Sequence, residues 1–146
     1  MESPYVYDKA KYHLESVEEH GLPEEHASNH TVYFLRWLIE NDLMSEEFAT
    51  ESDAILKQFR TGNASIHAVY GWGDCCLIDD MLSPEGNRFA MKYFDFAKGK
   101  YIHDYMELLQ GDLPSEFHIV YTEQNYRLLK PIIDERYRKW QSSKKN

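Results

Sequence analysis

The chain has 146 residues, of which 42% are hydrophobic and 14% aromatic, and its formal net charge is −9 at pH 7. This length and composition predict one folded domain and exclude a disordered chain, which would combine low hydrophobicity with few aromatic residues. The negative charge disfavours direct binding to nucleic acid, because it repels the phosphate backbone.

The first residues and the cysteines indicate a cytoplasmic protein. The start, MESPYVYDKAKYH, lacks the basic residues and the apolar run of a signal peptide. No apolar stretch approaches the ~20 residues that a membrane-spanning helix needs, so we expect no membrane association. Cys75 and Cys76 are adjacent, so a bridge between them would be strained and would close no loop. We expect two reduced, buried thiols.

Helix signals begin near the N-terminus. The segment YDKAKYHLESVEEHG predicts a first helix that Asp8 caps and Gly21 ends. A second helix opens with Pro23 in its first turn and ends before Asn41. Its apolar residues recur at steps of three and four, which is the helical period.

The middle of the chain is less regular. SEEF begins a third predicted helix, which runs from Ser45 to about Arg60. Residues 64–82 are ambiguous, because their first part suits a short helix while Gly71 and Gly73 predict a turn.

The last third returns to helical patterns. SPEGNRFAMKYFDFAKG predicts a helix capped by Ser83, and KYIHDYMELLQGD predicts another that Gly111 ends. FHIVYT has the composition of a strand but no partner, so it is predicted to be extended. The last helix covers residues 123–141, and Pro131 inside it predicts a kink or a break.

Alternating β patterns are almost absent from the chain. We therefore predict an all-α single domain over residues 1–141, packed as an irregular bundle of six or seven helices. The closing residues 142–146 are predicted to be a frayed tail.

The histidines offer one route to chemistry. His26 and His30 are four residues apart, so on one helix face both rings could reach one metal ion. His13 or His20, on the preceding helix, could supply a third ligand. The HExxH pattern, in which a glutamate between the histidines acts as a base, is missing. A metal-dependent helical-bundle hydrolase is therefore the alternative hypothesis, and the leading one needs no metal or cofactor.

Two histidines also have carboxylates nearby in sequence. His13 lies close to Asp8, and His103 is next to Asp104, as general acid–base catalysis would require. Sequence neighbours on a helix do not face each other, however, so surface positions explain both pairs.

Acidic residues dominate the first third. Residues 1–54 carry three basic and thirteen acidic side chains, whereas residues 127–146 carry seven basic and two acidic ones. Carboxylates around aromatic residues are typical of a surface that binds a basic protein. The candidate partner-binding residues are Glu18, Glu19, Glu24, Glu25, Trp37, Glu40, Asp42, Glu46 and Glu47.

Five segments of the chain also resemble a known pattern. They are YDKAKYH, HASNHTVYFLRWLIENDLMSEE, DDMLSPEGNRFAMKYF, YIHDY and DERYRKWQ. Together they resemble an uncharacterised family of small bacterial proteins, in which an Asp-Gly stands where this chain has DDML. The resemblance implies shared positions but assigns no chemistry to them. These positions are His13, His30, Phe34, Trp37, Asp80, Asn87, Phe89, Asp104 and Tyr105. It implies a role as an immunity protein, because such proteins are often found beside polymorphic toxins.

The leading functional prediction combines charge and resemblance. We expect a non-enzymatic immunity-type inhibitor that covers a basic toxin domain, for example a nuclease, with its acidic N-terminal third. Electrostatic steering would speed its association with that partner.

Overall fold

The structure is a computed structural model and describes residues 4–144. Within that range the chain is mostly helical, which confirms the predicted all-α class. The regular elements are β1 (Val6–Lys9), α1 (Leu14–Glu19), α2 (Asn29–Glu40), α3 (Glu46–Glu51), α4 (Asp53–Arg60), α5 (Ile66–Trp72), β2 (Cys76–Ile78), α6 (Pro84–Tyr93), α7 (Tyr101–Leu109) and α8 (Glu123–Lys144). Short 3-10 helices cover Ala10–His13, Glu24–Ala27, Asp79–Met81 and Glu116–His118.

Helix α2 is the centre of the core. Ten of its twelve residues are buried, which is typical of a helix covered on nearly all sides. It packs against α5 on one side and α8 on the other. The ring of Phe34 contacts aromatic rings from α6, α7 and the loop between them, so one aromatic core joins these helices. Its fully buried aromatic side chains include Tyr33, Phe34, Trp37, Tyr70, Phe89, Phe94, Tyr101, Tyr105 and Tyr126.

Several predicted helices have different limits in the structure, among them the third and the last. The third is two helices, because Ser52 leaves the helical conformation and its hydroxyl donates to the carbonyl oxygen of Phe48 at 2.6 Å. The last helix continues through Pro131 without a break and reaches Lys144. Residues 142–144 of the predicted tail are therefore helical, while 145 and 146 lie outside the described residues. No helix in the described part of the chain is both long and apolar enough to cross a bilayer.

A small antiparallel sheet joins the N-terminus to the middle of the chain. Asp8 in β1 lies opposite Leu77 in β2, and Lys9 lies opposite Cys76. The prediction that Asp8 caps a helix is therefore wrong, since Asp8 belongs to a strand whose partner is about 70 residues away. The prediction that Gly21 ends the first helical segment is confirmed, and its φ of +67° suits glycine.

Candidate metal site

Strand β1 places the Asp8 carboxylate inside the protein. The pairing with β2 shifts register between Val6 and Asp8, and such an irregularity turns two neighbouring side chains to the same side. Tyr7 and Asp8 are both buried as a result, and Asp8 is 1% exposed. An isolated buried carboxylate is unfavourable, so the groups around it decide whether this position is stable.

Two histidines and a threonine surround that carboxylate. His13 Nε2 lies 2.6 Å from Asp8 Oδ1, and His30 Nε2 lies 2.9 Å from Asp8 Oδ2. The Thr31 hydroxyl donates a hydrogen bond of 2.5 Å to Asp8 Oδ2. The two imidazole rings meet edge to face with their centroids 4.7 Å apart. We call Asp8, His13 and His30 the two-histidine cluster.

The two-histidine cluster keeps Asp8 ionised. Burial by itself would raise the pKa of the Asp8 carboxyl, but hydrogen bonds from His13 and His30 outweigh burial and lower it to about 2. Asp8 is therefore negatively charged throughout the physiological pH range, and it attracts either protonated histidines or a cation.

Both imidazoles face a cavity of about 220 Å³ that is partly open to solvent. Its other walls are Phe96, Ile102, Glu116 and Phe117. His13 is the more accessible histidine, with 19% of its side chain exposed against 4% for His30. The two histidines of the cluster thus line a mainly apolar pocket that also holds one further carboxylate, Glu116, while Asp8 is not part of its wall.

The two-histidine cluster has the composition of a metal site. One ligand atom from each of Asp8, His13 and His30 lies within 4.8 Å of the others, and no other such group of three occurs in residues 4–144. Bonds of about 2.0–2.2 Å from imidazole and carboxylate to zinc place ligand atoms about 3–3.5 Å apart. The two hydrogen-bonded nitrogen–oxygen pairs, at 2.6 and 2.9 Å, would therefore have to open slightly for an ion to enter between them.

Only part of the predicted ligand set is in the cluster. His30 and the predicted third ligand His13 are there, but His26 is not, because its Nδ1 bonds to the carbonyl oxygen of Phe117 at 2.6 Å. His20 packs instead against His118, with ring centroids 5.0 Å apart.

The prediction that His26 and His30 share a site assumed one continuous α-helix. His26 lies in a separate 3-10 turn that ends at Ala27, and α2 begins only at Asn29. The two side chains are therefore not one helical turn apart.

The sequence did contain a signal for the missing ligand. Asp8 and His13 are five residues apart and form a candidate acid–base pair, but the local pattern predicts one helix over both residues, on which they would not face each other. In the structure Asp8 is in a strand and His13 in a 3-10 turn, and this change of direction brings their side chains into contact. The other such pair does not meet in this way, because His103 pairs with Glu107 and Asp104 with Arg136.

The predicted partner-binding carboxylates are all exposed. They lie in two groups along the chain. Glu18, Glu19, Glu24 and Glu25 precede the start of α2, while Glu40, Asp42, Glu46 and Glu47 follow its end. Twelve residues at 1.5 Å each separate the two groups by roughly 18 Å along the helix axis. We call the first four residues the N-terminal acidic group.

Trp37 cannot act as the exposed aromatic residue of that surface. Its side chain is fully buried, and its Nε1 donates a 2.8 Å hydrogen bond to Asp134 Oδ1 in α8. The prediction that Trp37 belongs to a binding surface is therefore wrong, since Trp37 lies in the core with Phe34 and Leu38. Its role in the structure is to join α2 to α8.

Fold and cluster together define a small helical domain with a buried centre of two histidines and one carboxylate. The chain belongs to the family described as domain of unknown function DUF7832, whose model matches residues 6–119. That range contains Asp8, His13 and His30 and ends before α8. No curated protein and no solved structure matches the chain.

Proposed function

We propose that this protein binds a divalent transition-metal ion through Asp8, His13 and His30 and uses it to activate water for hydrolysis. The observation that carries the proposal is the convergence of three ligand atoms within 4.8 Å, two of them from histidines that line a cavity. Three protein ligands and one open position are typical of catalytic zinc sites, whereas structural zinc sites have four protein ligands.

The chemistry of the three ligands limits the choice of ion. Imidazole and carboxylate suit zinc and iron(II), while magnesium and calcium prefer oxygen ligands alone. Zinc lowers the pKa of a bound water to about 7, which makes hydroxide available near neutral pH. The cluster also has a supporting group, because Thr31 donates to the Asp8 oxygen that lies near His30.

The cavity indicates the size and polarity of the substrate. A volume of about 220 Å³ with Phe96, Ile102 and Phe117 in its walls suits a small molecule with an apolar group. Glu116 lines the same cavity and would serve as the base that takes a proton from the attacking water. The reaction proposed is therefore metal-assisted hydrolysis of a small ester or amide.

Zinc binding is the first test. Untagged protein freed of metal is titrated calorimetrically with zinc sulfate alone, with circular dichroism to show that each variant is folded. We expect one zinc per chain, and at least about 100-fold weaker binding for His13→Ala and for His30→Ala, since loss of even a supporting residue costs 10–100-fold.

Three variants control this experiment. His26→Ala should keep zinc, because His26 lies outside the cluster. The exposed His103→Ala reports any general effect of losing an imidazole, and the double variant Cys75→Ser/Cys76→Ser removes binding by thiols. Folded protein that takes up no zinc, or takes it up equally in His30→Ala, would refute the proposal.

Hydrolysis is tested separately with p-nitrophenyl acetate as the probe. We expect zinc to raise the rate for the wild-type chain and for His26→Ala, but not for His30→Ala. Glu116→Gln should keep zinc and lose most of the rate, since removing a general base typically costs 10²–10⁴-fold. Zinc binding without any zinc-dependent rate would limit the function to metal binding.

A second candidate function rests on the N-terminal acidic group. Glu18, Glu19, Glu24 and Glu25 are exposed, and within residues 4–144 none of them forms an ion pair. Four unneutralised carboxylates close together attract a basic partner, such as the toxin domain of an immunity pair.

The partner hypothesis is tested with the product of the gene next to this one, if that product contains a basic toxin domain. We expect the association rate to fall with rising salt, and the Gln variant of all four residues to bind more slowly with a weaker salt dependence. The matched control is the amide variant of four exposed carboxylates that follow the end of α2, namely Asp42, Glu46, Glu47 and Glu51. Equal association rates for the two variants would show that the N-terminal acidic group does not steer the partner electrostatically.

A further inference from the structure

The two cysteines of the chain lie at a second, separate cavity. This cavity has a volume of about 570 Å³, and both Cys75 and Cys76 line it. Each thiol is partly accessible, and neither forms a disulfide. The expectation that they are two buried apolar side chains is therefore wrong, because both face a space that a ligand can enter.

The backbone before β2 explains why neighbouring thiols share one cavity. Consecutive side chains of a regular strand point to opposite faces. Here Asp74 and Cys75 have φ of +61° and +54°, a left-handed conformation that non-glycine residues adopt at a cost. The alternation is thereby interrupted immediately before Cys76, which is the first residue of β2.

Contacts on both sides hold this turn in place. The amide of Ala10 donates to the carbonyl oxygen of Cys75 at 3.0 Å, and Lys9 pairs with Cys76 across the sheet. The Cys76 thiol donates to the carbonyl oxygen of Asp74 at 3.2 Å, which directs its sulfur back over the turn that carries Cys75. A fixed piece of backbone therefore carries both cysteines in the wall of one cavity.

We propose that Cys75 and Cys76 form a binding site for thiophilic ligands that take two thiols at once, and that trivalent organic arsenicals are the chemical class that fits. Soft ligands such as thiols prefer soft acceptors. No third ligand group lies close enough to complete a zinc site here, since the one such group in residues 4–144 is the two-histidine cluster. Ala10 and Leu14 supply apolar wall for the organic substituent.

The bond changes involve no oxidant. A hydrated arsenical, R–As(OH)₂, exchanges both hydroxyl groups for the two sulfur atoms, so that two As–S bonds form and two As–O bonds break. Each thiol proton leaves with a hydroxyl group as water, and arsenic stays trivalent. The Cys75 thiol is protonated at neutral pH, because burial, and then the nearby Cys76, Asp74 and Glu24, raise its pKa. Reagents that need a thiolate should therefore react slowly with it.

The test uses phenylarsine oxide and the reduced full-length chain. Intact mass and a thiol count should show one arsenical per chain and the loss of both thiols together. Binding should be at least about 100-fold weaker for Cys75→Ser and for Cys76→Ser, because the second bond of a two-point ligand forms at high effective concentration. Stepwise loss of one thiol at a time, or equal affinity in a single-serine variant, would overturn the proposal.

A second measurement separates a folded site from two cysteines that are merely adjacent in sequence. A ligand that prefers the native state raises the unfolding temperature, whereas one that prefers the unfolded chain lowers it. We expect phenylarsine oxide to raise the midpoint of the wild-type chain and to leave that of either serine variant unchanged. A lowered midpoint would mean that the fold does not build this site. His30→Ala should behave like the wild-type chain, so this result is independent of the zinc experiment.

Discussion

Arg136 and Asp104 form a two-point ion pair between α8 and α7. Arg136 Nε donates to Asp104 Oδ2 at 3.0 Å, and its Nη2 donates to Oδ1 at 2.9 Å. Asp104 is 6% exposed and also accepts a 2.8 Å hydrogen bond from the Tyr93 hydroxyl in α6. Three helices thus meet at one buried carboxylate, and α8 lies outside the range that the family model matches.

This pair predicts a large effect of one substitution in α8. Arg136→Leu should lower the free energy of unfolding by about 2 kcal/mol, because it leaves Asp104 without its cation, while solvent at the 35%-exposed arginine screens part of the loss. The measurement is urea unfolding at pH 7. The matched control is Arg138→Leu on the same helix, which breaks the exposed pair with Glu135 and should leave the midpoint almost unchanged. Equal effects of both substitutions would show that Asp104 is not held as described.

Asp8 predicts how the metal-free protein responds to acid. Its pKa is about 2 in the folded chain against an ordinary 3.8, so its contribution of about 2 kcal/mol is present above pH 4 and is lost as pH falls towards 2. Urea midpoints with chelator at pH 7, 5, 3.5 and 2.5 should therefore differ between wild-type and Asp8→Asn by an amount that shrinks with falling pH. A constant difference would contradict the ionised Asp8.

Trp37 predicts a structural effect in place of a binding effect. Trp37→Phe should destabilise the protein by about 2 kcal/mol, because it loses the hydrogen bond to Asp134 and leaves a gap in the core. Trp72→Phe is the matched control, since Trp72 is 44% exposed. The unfolding temperatures of both variants are measured by circular dichroism. A smaller decrease for Trp37→Phe than for Trp72→Phe would place Trp37 at the surface.

Two glycines should respond to alanine in opposite directions. In α6, a Cβ on Gly86 would lie 2.5 Å from the Leu43 carbonyl oxygen, so Gly86→Ala should cost roughly 2 kcal/mol. In α5, a Cβ on Gly71 would have no atom within 4 Å, so Gly71→Ala should stabilise by about 0.5–1 kcal/mol through helix propensity. Urea unfolding of both variants checks the packing of α6 on the loop after α2. A Gly86→Ala variant as stable as the wild-type chain would mean that α6 does not pack this closely against Leu43.

Local sequence signals for helices were sufficient to predict most of the fold. Ser45 and Ser83 each accept a hydrogen bond from the backbone amide three residues on, and capping of this kind is visible in the sequence. The apolar steps of α2 likewise placed Phe34 and Leu38 in the core. These features depend on residues within one or two helical turns, which is why the chain alone predicted them.

The two-histidine cluster was only half predictable for the opposite reason. Residue type and spacing make His13 and His30 candidate ligands, but local patterns predict Asp8 at a helix start and His26 on the same helix as His30. The pairing of β1 with β2 connects positions about 70 residues apart, and no local pattern contains that information. The Cys75–Cys76 cavity depends on the same pairing.

The sequence by itself determined an acidic, aromatic-rich helical domain, because composition, capping residues and apolar periodicity act over short distances. Only the tertiary structure decided which polar groups meet. It turned Asp8 inward to the two histidines, buried Trp37 against α8, and separated the acidic residues by the length of α2. Contacts between residues far apart in sequence depend on how the elements pack, and it is those contacts that build the candidate sites.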